Sequence, residues 1–154
     1  MSLSTDLLDA LSPENKIFVA FSGGLDSTAL LFLCNKALKE KKIKNLKAIH
    51  INHNLSKNSD NWQQHCESFC RSNKIEFESF VIEVSKNRSS IESQARQARY
   101  KIFESLLDEN DQILLAHHRD DVFETLLLRL FRGTGVDGLS GCLLYTSPSP
   151  RDRG

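Results

Sequence analysis

The residues best equipped for chemistry fall in two short clusters. The first is Ser22-Gly23-Gly24-Leu25-Asp26-Ser27, which follows the apolar run Ile17-Phe18-Val19-Ala20-Phe21. Two glycines let backbone come close to a ligand, and a following helix N-terminus offers unpaired N–H groups and positive potential to an anion. The hydroxyls of Ser22 and Ser27 add donors. Asp26 would repel a phosphate unless a cation stood between them, which points to Mg2+. The Walker ending Gly-Lys-Ser/Thr is absent, so a phosphotransferase of that type is disfavoured. A plain strand-to-helix turn with Ser27 as N-cap is the alternative.

The second cluster is His117-His118-Arg119-Asp120-Asp121-Val122-Phe123-Glu124-Thr125. If a helix begins near Asp120, then Asp121 and Glu124 stand three apart and face one side. Such a carboxylate pair could hold a cationic amine, or a metal together with His117. The plainer alternative has the acids complementing a helix dipole and His118 in a satisfied polar site.

Both clusters need a scaffold, and the chain supplies one. Strands are expected at 17–21, 46–52, 77–84 and 112–116, each a short apolar or β-branched run. Helices are expected at 27–41, 60–72, from a Ser89-Ser90-Ile91-Glu92 capping box to about Leu106, and at 120–131. Alternation of this kind predicts an α/β domain with a parallel sheet and helices on both faces. Ligands then bind at the carboxyl ends of the strands, just after Phe21, Asn52, Val84 and Ala116.

In this setting the hexapeptide resembles the Ser-Gly-Gly-x-Asp-Ser loop of the N-type ATP pyrophosphatases, the PP-loop superfamily. The resemblance implies a three-layer, adenine nucleotide alpha hydrolase-like fold. It also implies that Ser22, Gly23, Gly24, Leu25, Asp26 and Ser27 bind ATP, with Asp26 on Mg2+. The second cluster, continued by Leu126 to Gly141, is similar to the tRNA(Ile)-lysidine synthetase family. So are His50-Ile51-Asn52-His53-Asn54-Leu55 and the set Glu92, Arg96, Arg99, Tyr100 and Phe103. What this implies is ligation of L-lysine to the wobble cytidine of tRNA(Ile) through an adenylated base, with AMP and pyrophosphate released. Asp26, His117, Asp121 and Glu124 would be the catalytic residues. Where Asn54 stands the family more often has glycine; asparagine tolerates the same left-handed backbone. A sulfur-transferring PP-loop enzyme and an ATP-binding fragment without turnover are the alternatives. The lack of Cys-x-x-Cys and the residues at 117–125 count against the former.

Composition agrees with one ordinary globular unit. The 154 residues carry 20 basic and 20 acidic side chains, so bulk charge does not drive nucleic-acid binding. No apolar run is long enough to span a membrane, and four cysteines suit reduced thiols in the cytoplasm. Cys66 and Cys70, one helical turn apart, are expected to pack rather than bind metal. Trp62 is expected in the core. Arg96 is expected to pair with Glu92, although it and Arg99 could meet phosphate. Lys86 to Ser90 reads as a basic loop that could equally touch RNA backbone or solvent. Residues 1–141 are expected to form a PP-loop domain incomplete at its C-terminus, and 142–154, with Pro148 and Pro150, an unrelated disordered tail. Oligomeric state is open, a homodimer being one arrangement.

Overall fold

The computed structural model describes residues 8–54, 58–83, 91–119, 122–130 and 139–148. Strand β1 (Lys16–Ala20) leads to helix α1 (Leu25–Lys39), then β2 (Asn45–Asn52), α2 (Ser59–Ser72) and β3 (Glu76–Val81). Helix α3 (Ile91–Leu106), β4 (Gln112–Arg119), β5 (Val122–Leu130) and β6 (Leu139–Pro148) follow. The six strands form one sheet in the order β3-β2-β1-β4-β5-β6. Strands β3, β2, β1 and β4 run parallel; β5 and β6 are antiparallel additions.

The apolar runs explain the layers. Side chains along a strand alternate between faces, so a strand buried on both sides must be apolar at every position. Ile17 and Val19 join Leu30, Leu31 and Cys34 of α1 and Cys66 and Cys70 of α2 in one core. Phe18, between them, joins Phe103 and Leu107 at the end of α3 in another. Helices α1 and α2 therefore cover one face and α3 the other, giving the expected three-layer α/β arrangement. The expected strands and the first three helices lie within a few residues of their observed ends.

The expected helix at 120–131 is not what forms. Residues Val122–Leu130 instead pair antiparallel with β4, Leu115 opposite Leu126 and Ala116 opposite Thr125. Leu127 packs in the α1/α2 core and Leu128 in the α3 core, so neighbouring residues serve opposite faces. The run Leu126-Leu127-Leu128 fits a buried helix and a doubly buried strand equally by periodicity, and Val122, Phe123 and Thr125 favour the strand. The tail expectation changes too. Residues up to Pro148 form β6, whose position at the sheet edge tolerates a terminal proline. Residues 149–154 lie outside those described.

Candidate active site

Strand order fixes where a ligand can sit. From β1 the chain passes through α1 to β2 on one side, whereas β4, reached through α3, lies on the other. The connections diverge there, and in sheets of this kind ligands bind at such a switch point, outside the carboxyl ends of the strands, here β1 and β4. Ser22–Ser27 occupies that position. The parallel pairing of β1 with β4 ends at Val19↔Leu114, so the Ser22–Ser27 turn and the end of β4 leave the sheet at the same edge.

The loop is held by its own hydroxyls. Ser27, 5% exposed, accepts the Ser22 N–H on Oγ at 3.1 Å, and the two hydroxyls lie 2.9 Å apart. Ser22 Oγ accepts the Gly24 N–H at 3.2 Å, and Thr28 Oγ1 donates to the Gly24 carbonyl at 2.7 Å. The N-cap of α1 is Gly24, with no side-chain cap bond, so Ser27 is not the N-cap but a brace inside the first turn. Asp26 stands in that same first turn, partly buried.

Neighbouring elements hold the loop from behind. His50 Nδ1 meets the Phe21 carbonyl at 2.9 Å, and the Trp62 indole N–H donates to the Ser22 carbonyl. Gly23 has φ of +88°, and a Cβ there would lie 2.8 Å from Cys66 Sγ and 3.0 Å from the Trp62 ring. Only glycine suits both that backbone and that space. Trp62 is 46% exposed, so the core placement expected for it is corrected: it is a wall of the loop.

The end of β2 makes the adjoining wall. Buried Asn52 donates to Asp60 at 3.1 Å and Gln63 at 2.8 Å, and accepts the Asn54 N–H at 2.8 Å, tying β2 to the first turns of α2. Asn54 adopts φ of +56°, a left-handed backbone that asparagine tolerates. Next to it, His53 Nδ1 is buried without a partner among the described residues. Burial first, then the Arg99 cation and His50, hold the His53 imidazole below its ordinary value of 6.5. Arg99 is itself pushed down, chiefly by burial. Arg96 lies over the Tyr100 ring, 4.8 Å from its centroid, and this cation–π contact replaces the expected pair with Glu92.

A proton titration follows from this geometry. A histidine whose folded-state value is depressed favours the unfolded chain as pH falls through about 6.5, so stability is full above that pH and erodes below it. In an NMR titration the His53 ring is expected to have the lowered midpoint. In Arg99→Ala the midpoint should rise, yet stay below 6.5 because burial is the larger cause. An unchanged midpoint in the variant would show that the Arg99 charge is not felt at His53.

Of the second cluster, His117 and Glu124 occupy directly paired positions of β4 and β5. The helical face proposed for Asp121 and Glu124 does not exist, since Glu124 lies in a strand; Asp121 lies outside the described residues. Thr125 is buried with its hydroxyl unpartnered among the described residues. No group of three or more His, Cys, Asp or Glu able to hold a metal occurs among the described residues. Asp26 alone is the carboxylate of the loop, a donor set that suits Mg2+ shared with a ligand's phosphates rather than enclosed by protein. Sequence reasoning missed the loop-holding roles of His50 and Trp62, which depend on contacts 29 and 40 residues away.

Comparison with known proteins agrees with this geometry. Residues 2–152 match the PP-loop domain family, a span that crosses the boundary expected at residue 141. Relatives named tRNA(Ile)-lysidine synthase match most of this chain. That of Legionella pneumophila (strain Lens) is 48% identical over 138 residues, 90% of this chain and 31% of its own length. That of Pseudomonas syringae pv. tomato is 45% identical over 141 residues, 90% and 32% of the two chains. That of Histophilus somni (strain 2336) is 42% identical over 132 residues, 86% and 31%. The chain thus spans about a third of the length of these curated relatives. In fold it is similar to the U34-tRNA thiolase NcsA from Methanococcus maripaludis, with TM-score 0.54 and 21% identity over 68% of this chain and 40% of that one. No helix among the described residues is long and apolar enough to cross a membrane. With its glycine-rich loop at the switch point of a largely parallel sheet and a match over nearly its whole length, the chain belongs to the PP-loop domain family.

Proposed function

We propose that this chain is the nucleotide-binding and catalytic part of an enzyme that uses ATP to join L-lysine to the wobble cytidine of tRNA(Ile), releasing AMP and pyrophosphate. The observation that carries the reading is the Ser22–Ser27 loop, braced by paired serine hydroxyls at the carboxyl end of β1. The names of the relatives support the choice of substrate. In this reading tRNA(Ile) is the nucleic-acid partner, and the compartment is the cytoplasm.

The chemistry needs a leaving group. A base carbonyl oxygen leaves poorly; its attack on the α-phosphate of ATP expels pyrophosphate and converts it to an adenylate, which the lysine amine then displaces as AMP. Loop N–H groups and the hydroxyls of Ser22 and Ser27 stabilise charge growing on the departing pyrophosphate. Asp26 would hold Mg2+, which supplies neutralising charge to the phosphates. His117, Asp121 and Glu124 would line the adenylate and lysine site, with the carboxylates orienting the amine and one of them taking its proton.

Sulfur transfer by the same fold is the competing chemistry, and the described cysteines disfavour it. Burial pushes the thiols of Cys34 and Cys70 up to about 12 and that of Cys66 to about 11. Thiols held protonated make poor nucleophiles. The discriminating assay measures pyrophosphate release with ATP, Mg2+ and a tRNA(Ile) transcript, with and without L-lysine or a sulfur donor. Lysine-dependent release is expected. Sulfur-dependent release, or ATP binding with no release under any condition, would overturn the proposal.

A further inference from the structure

Trp62 presents an arrangement that core packing does not explain. Its ring is 46% exposed, yet its single polar atom is engaged with the Ser22 carbonyl. The ring edge fills the space where Gly23 lacks a Cβ, and His65 stacks on the ring at 4.9 Å and 17°. The helix turn that carries it is anchored, because Asn52 at the end of β2 binds both Asp60 and Gln63 on either side of Trp62. The indole is therefore a fixed point against which the loop rests.

The C=O and N–H of one trans peptide unit point in opposite directions. Two consecutive peptide units follow β1. In the first, the Phe21 carbonyl meets His50 and the Ser22 N–H meets Ser27, so both ends are used inside the protein. In the second, the Ser22 carbonyl is held by Trp62, so the Gly23 N–H is turned away from α2. That N–H has no partner among the described residues. An N–H with no internal partner, next to a helix N-terminus, is what an anion-binding loop requires.

We propose that Trp62 is a positioning residue for the phosphate loop: its indole N–H holds the Ser22 carbonyl and thereby aims the Gly23 N–H at the nucleotide's phosphates. This rests on the ATP-binding reading given above. The carbonyl that Trp62 holds would otherwise be free to rotate toward the phosphates, where it would repel them. The contact works through the loop; no atom of Trp62 needs to touch the reacting groups.

The chain has one tryptophan, so its fluorescence reports on this wall of the loop. Binding of Mg-pyrophosphate to the wild-type chain is measured first by calorimetry, then by tryptophan emission. Trp62→Phe keeps an aromatic ring but removes the N–H. The emission of the wild-type chain is expected to change in step with calorimetric binding. Trp62→Phe should bind about 2- to 10-fold more weakly, the span of one lost hydrogen bond, with its thermal midpoint nearly unchanged. Wild-type binding with no emission change, or equal affinity in the variant, would overturn the positioning role while leaving ATP binding intact. If the wild-type chain binds neither Mg-pyrophosphate nor Mg-ATP, the ATP reading itself falls, and this role with it. Should the variant not fold, the wild-type emission decides alone.

Discussion

Gly23→Ala is expected to lower the thermal midpoint and to weaken ATP binding by more than tenfold. Two separate costs meet at this residue. Its φ of +88° is open to glycine but strained for alanine, by about 1–2 kcal/mol. The added methyl would also stand 2.8 Å from Cys66 Sγ and 3.0 Å from the Trp62 ring, an overpacking that costs about 1–3 kcal/mol. Cys66 is fully buried and Trp62 is anchored through α2, so neither retreats cheaply. Relief comes from the loop moving outward, which pulls the Ser22 carbonyl from the indole and spoils the phosphate cradle. A melting curve and an ATP titration read the two effects. Cys66→Ala in the same chain should restore part of the loss, because it removes the nearest obstructing atom while leaving φ and the indole unchanged. Wild-type stability and affinity in Gly23→Ala would show that the loop is not packed as described.

Asp26→Asn separates attraction from repulsion at the same loop. A carboxylate in the first turn of α1 stabilises the helix by about 0.3–1 kcal/mol, so the variant should lose a little stability. Its effect on ATP should be larger and should depend on the cation. With Mg2+ present, loss of the charged ligand is expected to weaken ATP binding tenfold or more, about 1.4 kcal/mol, and to abolish pyrophosphate release. Without Mg2+ the order should reverse, the variant binding ATP at least as well as the parent because a negative charge near the triphosphate is gone. A variant weakened equally with and without Mg2+ would contradict the role given to Asp26.

The Ser22–Ser27 turn and the four parallel strands were legible in the sequence because both are local signals. A doubly buried strand must be apolar throughout, as Ile17 to Ala20 is, and the glycine pair after it marks a tight turn into a helix. Val122–Leu130 was not, because a run of adjacent leucines satisfies a helix and a two-faced strand alike, and only pairing with β4 decides between them. The tail expected to be irregular from Cys142 is strand as far as Pro148, where structure comes from β5 as neighbour rather than from periodicity. Trp62 was misplaced for a related reason: an aromatic residue on an amphipathic helix reads as core, and its exposure depends on a loop 40 residues earlier. Arg96 found the Tyr100 ring rather than Glu92, two partners at equal spacing on the same helix.

Calorimetric titration of the wild-type chain with ATP, in Mg2+ and then in excess chelator, tests most directly whether Ser22–Ser27 is a triphosphate site. Saturable one-to-one binding that requires Mg2+, and that AMP does not compete away at equal concentration, is the predicted result. No binding, or binding of AMP as tight as that of ATP, would contradict it.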